Sequence, residues 1–363
     1  MCENHLSSIR CIVPPYMENM LAQSTSKAIS TNAICSKYNS YRFRTDRIFF
    51  SSISDKEKAV LGAIATKAVA SKSAKLEVYN CKNTTNLTGA ALIWSNASTR
   101  KPADKDAKNV IIAADATWHF YYDLFGRNSI DKLGMIIKQY IHFDKNYDNA
   151  FWDGKRMIFG DGDGKIFGSF TSDIDIVGHE LTHGVTQFEA NLDYTLQSGA
   201  MSESFSDIFG IMIKQRTLNQ DVKTSNWLIG ENCLLGSKYA LRSMKAPGTA
   251  YVNHPQLGTD PQPATMDKFV NLPNTQEADW GGVHYNSGIT NFAFYVAAYN
   301  MGGFAWEKAG RIWYVALTDT KNLKQNATFA DLKNITIRIA GQLFGSGSLQ
   351  EKAVKDGWAA AKV

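Results

Sequence analysis

His179-Glu180-Leu181-Thr182-His183 packs two imidazoles and a carboxylate into little more than one helical turn. Residues i and i+4 share a helix face, so both histidines reach one metal ion, and the spacing predicts a zinc site. Glu180 stands beside the first ligand, where a carboxylate takes a proton from water that the metal has activated. Around the pentapeptide, Ile174, Ile176, Val177, Leu181, Val185 and Phe188 recur at helical spacing. The histidines are therefore expected on a helix with an apolar side, capped by Asp173 or Asp175.

A catalytic zinc takes three protein ligands and keeps its fourth position for water or substrate. The next patterned segment, 199–210, offers Glu203 and, four residues later on the same helical face, Asp207, both among small or apolar neighbours. Glu203 is the expected third ligand. Asp207 suits a supporting place, accepting a hydrogen bond from the far nitrogen of a ligand histidine.

With Ser202-Glu203-Ser204-Phe205-Ser206-Asp207 following the zinc pentapeptide, the chain resembles the thermolysin family of zinc metalloendopeptidases. Asn149-Ala150-Phe151-Trp152, Tyr194 and Gly281-Gly282-Val283-His284-Tyr285-Asn286-Ser287-Gly288-Ile289 match further family motifs in order, and the likeness runs over roughly residues 77 to 363. It implies an α+β, two-lobe metalloprotease: a β-rich N-terminal lobe over 61–188 ending in the zinc-binding helix, and a helical lobe over 189–363. The resemblance also implies the remaining roles. Tyr194 and His284 would stabilise the oxyanion formed on a peptide carbonyl, with Asp279 holding His284 in a donating state. Asn149 and Ala150 would hydrogen-bond the substrate backbone, and Arg242 would grip a substrate carbonyl. Phe167, Phe170, Ile176, Ile229 and Leu241 would line the pocket for the residue after the scissile bond. All five are apolar, so cleavage is expected on the N-terminal side of bulky hydrophobic residues.

The chain departs from the family at a double calcium site. The resemblance places that site's carboxylates at 175, 207, 214, 226, 228 and 231. Here Asp175, Asp207 and Glu231 remain, but the others are Lys214, Asn226 and Leu228. An ammonium does not ligate calcium, so Lys214 is expected to serve as a counter-charge to Asp175, Asp207 or Glu231 and the site to hold no calcium.

Residues 1–76 differ in kind from the remainder of the chain. They hold 11 Lys/Arg and 5 Asp/Glu, a charge of +6, which leaves −1 for residues 77–363 of a chain of net charge +5. The basic excess thus belongs to the N-terminal segment, and nucleic-acid binding loses its main support. Arg10 and Pro14-Pro15 break the one candidate signal-like run, which implies export without a cleavable signal or residence inside the cell. No stretch reaches the length of a membrane span. Cys11 to Met17 reads as an extended approach to a short amphipathic helix, followed by a Ser/Thr/Asn-rich stretch from Ser24 to Ser40. A short propeptide with a Pro-Pro-Tyr element resembles the protealysin-like subgroup, whose precursors keep the cleft covered. The expectation is a propeptide over 1–60, cut between about 40 and 75, that acts as an intramolecular inhibitor. A thiol from Cys2 or Cys11 blocking the zinc is the alternative device. The five cysteines, Cys2, Cys11, Cys35, Cys81 and Cys233, form no disulfide framework.

The function read from the sequence is a monomeric, zinc-dependent endopeptidase made as a proenzyme and acting on proteins or peptides. The rival reading is a catalytically silent relative that serves as a protein-binding or adhesin-like module.

Overall fold

The computed structural model describes residues 10–51, 73–236 and 238–363, which group into two units. The segment up to Val13, Met17–Val185 and Asn232–Leu235 make the N-terminal unit; Pro14–Tyr16, Thr186–Glu231 and Gly236–Val363 make the C-terminal one. Cys2 and most of the expected processing region, 52–72, lie outside the described residues.

The N-terminal unit is built on six strands: β1 (Arg10–Cys11), β2 (Leu76–Thr84), β3 (Ala91–Ser95), β4 (Ile137–Phe143), β5 (Ala150–Trp152) and β6 (Met157–Phe159). They lie in the order β1-β5-β6-β4-β2-β3, with β2, β4 and β6 parallel and the remaining pairs antiparallel. Parallel strands are covered on both faces and lose strict polar alternation. Accordingly β4 buries five of its seven residues. Before β4 runs α3 (Lys105–Phe125), capped by the Asp104 side chain, which accepts from Ala107 N at 3.0 Å. Gly126, in the left-handed region at φ 66°, ends it.

The N-terminal segment changes one expectation. Pro15 already begins a helix, α1 (Pro15–Ala22), because proline suits the first helical position, where no N–H is needed. The Ser/Thr/Asn-rich stretch is helix α2 (Lys27–Ser51). Its polar side chains face the loop before β5: Asn32 Nδ2 donates to Asn146 O at 2.9 Å and Asp148 Oδ2 at 2.5 Å, Ser36 Oγ accepts from Asp148 N at 3.1 Å, and Asn39 bonds Asp144. Positions 32, 36 and 39 share one helix face, so the polar residues form a docking stripe.

The zinc-motif helix, α4 (Ile174–Phe188), is buried on all sides from Asp175 to Thr186, where one apolar side was expected. Such a helix must satisfy its polar groups internally. Thr182 does so with Tyr121 of α3, hydroxyl to hydroxyl at 2.8 Å. Gly184 sets how closely α4 approaches β5: a Cβ there would stand 2.5 Å from Ile130 and 3.1 Å from Trp152.

In the C-terminal unit, helices α5 (Leu196–Thr217) and α6 (Asp279–Met301) pack together, and α9 (Leu349–Ala360) covers α6. Every residue of α5 from Ser198 to Gln215 is buried. Small residues permit this; a Cβ on Gly199 would meet Val283 of α6 at 2.5 Å. Helices α7 (Ala309–Thr318) and α8 (Phe329–Phe344) and a short antiparallel pair, β7 (Leu228–Ile229) with β8 (Arg242–Ser243), complete the unit. Residues 305–308 form turns before α7. Among the described residues no helix is long and apolar enough to cross a membrane.

Candidate active site

Helix α4 presents His179 and His183 with ring centroids 4.6 Å apart at 90°. One turn of helix achieves this from sequence alone. Glu180, fully buried, accepts the Trp152 N–H at 3.1 Å, so β5 fixes the carboxylate. Asn149 and Ala150 lie at the start of the same strand, fully buried.

That strand edge is occupied. β1 pairs antiparallel with β5 in the register Arg10 to Trp152 and Cys11 to Phe151. Ile12 N donates to Ala150 O at 3.2 Å, and Asn149 both accepts from Val13 N at 3.0 Å and donates to Val13 O at 3.4 Å. This is β-augmentation, in which backbone bonds carry the contact whatever the side chains. Glu18, 2 % exposed on α1, accepts from Asn149 Nδ2 and Ser40 Oγ, both at 3.3 Å. Cys11 packs in an apolar cluster with Cys81, Tyr140, Tyr147 and Phe151. The blocking-thiol alternative fails for Cys11 on this placement, and Cys2 is outside the described residues.

Glu203 sits on α5 in the C-terminal unit, 1 % exposed. The Tyr194 hydroxyl donates to its Oε1, and His284 Nε2 is 3.2 Å from the same hydroxyl and 3.5 Å from Glu203 Oε2. His284 lies in the first regular turn of α6, because Trp280, Gly281 and Gly282 adopt positive φ and break the helix just before it. Asp279 caps that restart: one carboxylate oxygen accepts His284 N at 2.8 Å and the other faces His284 Nδ1 at 2.6 Å. Burial pulls the imidazole toward neutrality, but Asp279 and then Glu203 outweigh it and hold its pKa above the ordinary value. With Nδ1 committed to Asp279, Nε2 is the nitrogen directed at Tyr194 and Glu203.

Asp207, one turn after Glu203, accepts Arg242 Nε and a terminal guanidinium nitrogen, both at 2.8 Å, and Asn291 Nδ2 at 2.8 Å. Burial opposes charge on Arg242, yet Asp207 overcomes it and keeps the guanidinium pKa above its usual value. Three supporting residues had no sequence signal: Trp152 for Glu180, Asn291 for Asp207, and Gln262, whose Nε2 donates to His284 O at 2.7 Å. Each acts through a backbone group or across a long sequence separation, which no local pattern records. Of the expected pocket residues, Phe167 and Phe170 pack with ring centroids 5.6 Å apart in one unit, where Ile176 is also buried. In the other, Ile229 and Leu241 are joined by Leu241 N to Ile229 O at 2.9 Å.

His179 and His183 of the N-terminal unit and Glu203 of the C-terminal one are all buried. Two neutral imidazoles and one carboxylate are the donor set of an open catalytic zinc site, so the chemistry fits that ion. Residues 52–187 match the catalytic domain, and 190–363 the alpha-helical domain, of thermolysin metallopeptidase. The chain belongs to the thermolysin family. Protease PrtS of Photorhabdus sp. (strain Az29) is 39% identical over 354 residues, 96% of this chain and 90% of that one. An extracellular metalloprotease of Pectobacterium carotovorum subsp. carotovorum is 51% identical over 230 residues, 63% of this chain and 65% of that one. Among solved structures, the precursor of protealysin, a metalloproteinase from Serratia proteamaculans, aligns with a TM-score of 0.84 at 38% identity, covering 98% of this chain and 99% of that chain. As a thermolysin-family member the chain is a metalloendopeptidase, and the family implies zinc.

Proposed function

We propose that the chain is the proenzyme of a zinc endopeptidase, and that its own N-terminal segment holds the substrate strand edge until it is cut away. The observation that carries this reading is β1 paired along β5, with Asn149 and Ala150 bonded to Val13 and Ile12. A peptide substrate needs those same groups. The boundaries that go with it are a propeptide over 1–60, a β-rich lobe over 61–188 and a helical lobe over 189–363.

His179, His183 and Glu203 would hold the zinc, which when bound supplies Lewis acidity and lowers the pKa of water. Glu180, fixed by Trp152 N–H, takes the proton of the attacking water and passes it to the leaving nitrogen. Tyr194 and His284 donate to the carbonyl oxygen as it gains charge, and Asp279 keeps His284 aligned. Arg242 grips a substrate carbonyl while Asp207 holds it in place. Phe167, Phe170, Ile176, Ile229 and Leu241 favour a bulky hydrophobic residue after the cut. The test is casein or peptide cleavage by protein processed at 40–75, with and without a zinc chelator. Full-length chain as active as the processed form would contradict the proenzyme reading.

Lys214 supports a second departure from the family. Its Nζ lies 2.7 Å from Glu231 Oε1 and donates to Leu228 O at 3.0 Å, while Asn226 Nδ2 donates to Glu231 Oε2 at 2.6 Å. A protein cation thus takes the charge-neutralising place that the family gives to calcium at this double site. Millimolar calcium is expected to leave Tm unchanged; a concentration-dependent rise in wild type that Lys214 substitutions alter would show an ion bound there.

Attachment of the N-terminal segment should weaken as pH rises. Burial, aided by Asp163 and Glu18, pushes the Asp148 carboxyl up from 3.8 to about 8, against hydrogen bonds from Asp163 N and Asn32. A carboxyl whose pKa is raised by docking favours the docked state fully below its free pKa and progressively less up to the docked value. Protection of residues 10–40 from hydrogen exchange should therefore fall as pH rises toward about 8. The measurement is made on Glu180→Gln, which cannot process itself. Asp148→Asn should flatten the profile; an identical slope in both would remove Asp148 as its source.

A further inference from the structure

Asp161 and Thr171 bracket the segment of the N-terminal unit that carries Phe167 and Phe170, both fully buried. Polar side chains hold it at both ends. At its start, Asp161 Oδ1 lies 2.8 Å from His142 Nδ1, and Asp161 Oδ2 accepts from Asn83 Nδ2 at 3.0 Å. At its end, the Ser169 and Thr171 hydroxyls both donate to Asp106 Oδ1 in the first turn of α3. His142 joins the two ends: its other ring nitrogen, Nε2, lies 2.9 Å from Oδ2 of Asp104, the residue that caps α3. A chain of contacts thus runs from Asp161 through His142 to Asp104 and, by way of Asp106, back to Thr171.

The donor count fixes the charge on this link. A neutral imidazole has one N–H and a carboxylate only accepts, so a neutral ring serves one of the two oxygens and sets a lone pair against the other. An imidazolium donates to both. Asp106 adds to the demand for a cation, since an oxygen of Asp104, an oxygen of Asp106 and a nitrogen of His142 all lie within 4.8 Å of one another. Asp104 and Asp106 thus face the ring from α3 and Asp161 from the segment after β6, while β2 adds the neutral Asn83 amide behind Asp161. Hydrogen bonding to Asp161, against burial and with help from Asp104, raises the His142 pKa from 6.5 to about 9. The backbone is constrained at the same point: His142 holds φ 54°, uncommon outside glycine, where the pairing of β4 with β2 shifts register.

We propose that His142 is a positioning residue for the substrate pocket: as an imidazolium bridging Asp104 and Asp161, it ties segment 161–171 to the start of α3 and so sets where Phe167 and Phe170 stand to receive the side chain after the cut. The inference rests on the reading of Phe167 and Phe170 as pocket residues. The contribution of the imidazolium is complete below the ordinary imidazole value and is lost as pH rises through about 9.

The test measures kcat/KM from about pH 6 to about pH 10 for two peptides that differ in having Leu or Ala after the cut. The proteins are processed wild type, His142→Asn, Asp161→Asn and Phe170→Ala. Ionisations of the catalytic groups act on both peptides alike and cancel in the Leu-to-Ala ratio. In wild type the ratio should hold to about pH 7 and fall roughly fivefold by about pH 10. His142→Asn suits the positive φ but carries no charge, so its ratio should be low and flat. Asp161→Asn should keep the ratio high and flat, because the new amide donates to Nδ1 of a neutral ring whose Nε2–H still serves Asp104. General damage to the fold does not produce these opposite profiles. If Phe170→Ala lowers the ratio, the inference is overturned by a wild-type ratio that ignores pH, by His142→Asn with the wild-type profile, or by Asp161→Asn that still falls with pH; the pocket reading then stands. A ratio that Phe170→Ala leaves unchanged overturns the pocket reading, and the inference with it.

Discussion

Glu180→Gln should lower kcat and kcat/KM for peptide hydrolysis together, by about 10²- to 10⁴-fold, the range that a general base contributes. Glutamine keeps the size of the side chain and an oxygen to accept the Trp152 N–H, which in the wild type is 3.1 Å from Glu180 Oε2. What it loses is the ability to hold a proton from water. The fold and the proposed ligands His179, His183 and Glu203 are untouched, so metal content and circular dichroism should match wild type. The variant therefore separates loss of the base from loss of the metal, which chelation alone does not do. Activity within about tenfold of wild type would take the base role away from Glu180.

Arg242→Met should destabilise the protein by about 3–5 kcal/mol, the usual cost of removing one partner of a buried ion pair. Both side chains are at most 1 % exposed, and the guanidinium reaches Asp207 through two nitrogens at 2.8 Å. Methionine fills much of the volume but takes away the guanidinium that the Asp207 carboxylate bonds twice, while the bond from Asn291 Nδ2 at 2.8 Å is kept. Arg242→Met combined with Asp207→Leu should recover part of the loss, because the buried carboxylate is then gone as well. Urea unfolding on the Glu180→Gln background, which cannot digest itself, measures both. A cost below about 1 kcal/mol for the single substitution would mean that the carboxylate is compensated elsewhere. The same variant should raise KM if Arg242 holds a substrate carbonyl, so stability and binding are read from one protein.

The helix of the zinc motif was legible because apolar residues recur at helical spacing around it, and the helical lobe beyond it followed from the resemblance. Boundaries were less so. Helix α3 begins where Asp104 caps it, a side-chain bond that periodicity does not register. Helix α2 was hidden by its composition: Ser, Thr and Asn compete for backbone groups and favour turns, yet here Asn32, Ser36 and Asn39 spend their hydrogen bonds on the loop before β5. The break at Trp280–Gly282 was visible as glycines, but not as the device that puts His284 at a helix start above Asp279.

By itself, the sequence determined the chemistry on offer. The spacing of His179, Glu180 and His183 follows from helix geometry, and Glu203 and Asp207 repeat the same four-residue logic. Tertiary structure decided which groups each of these side chains meets. Tyr194 and Glu203, Arg242 and Asp207, and β1 and β5 are brought together across separations of 9, 35 and about 140 residues, and such pairings depend on packing rather than on local propensity. The strand edge at Asn149 reads the same in the sequence whether it is open or filled. Only the folded chain shows it already bonded to residues 12 and 13.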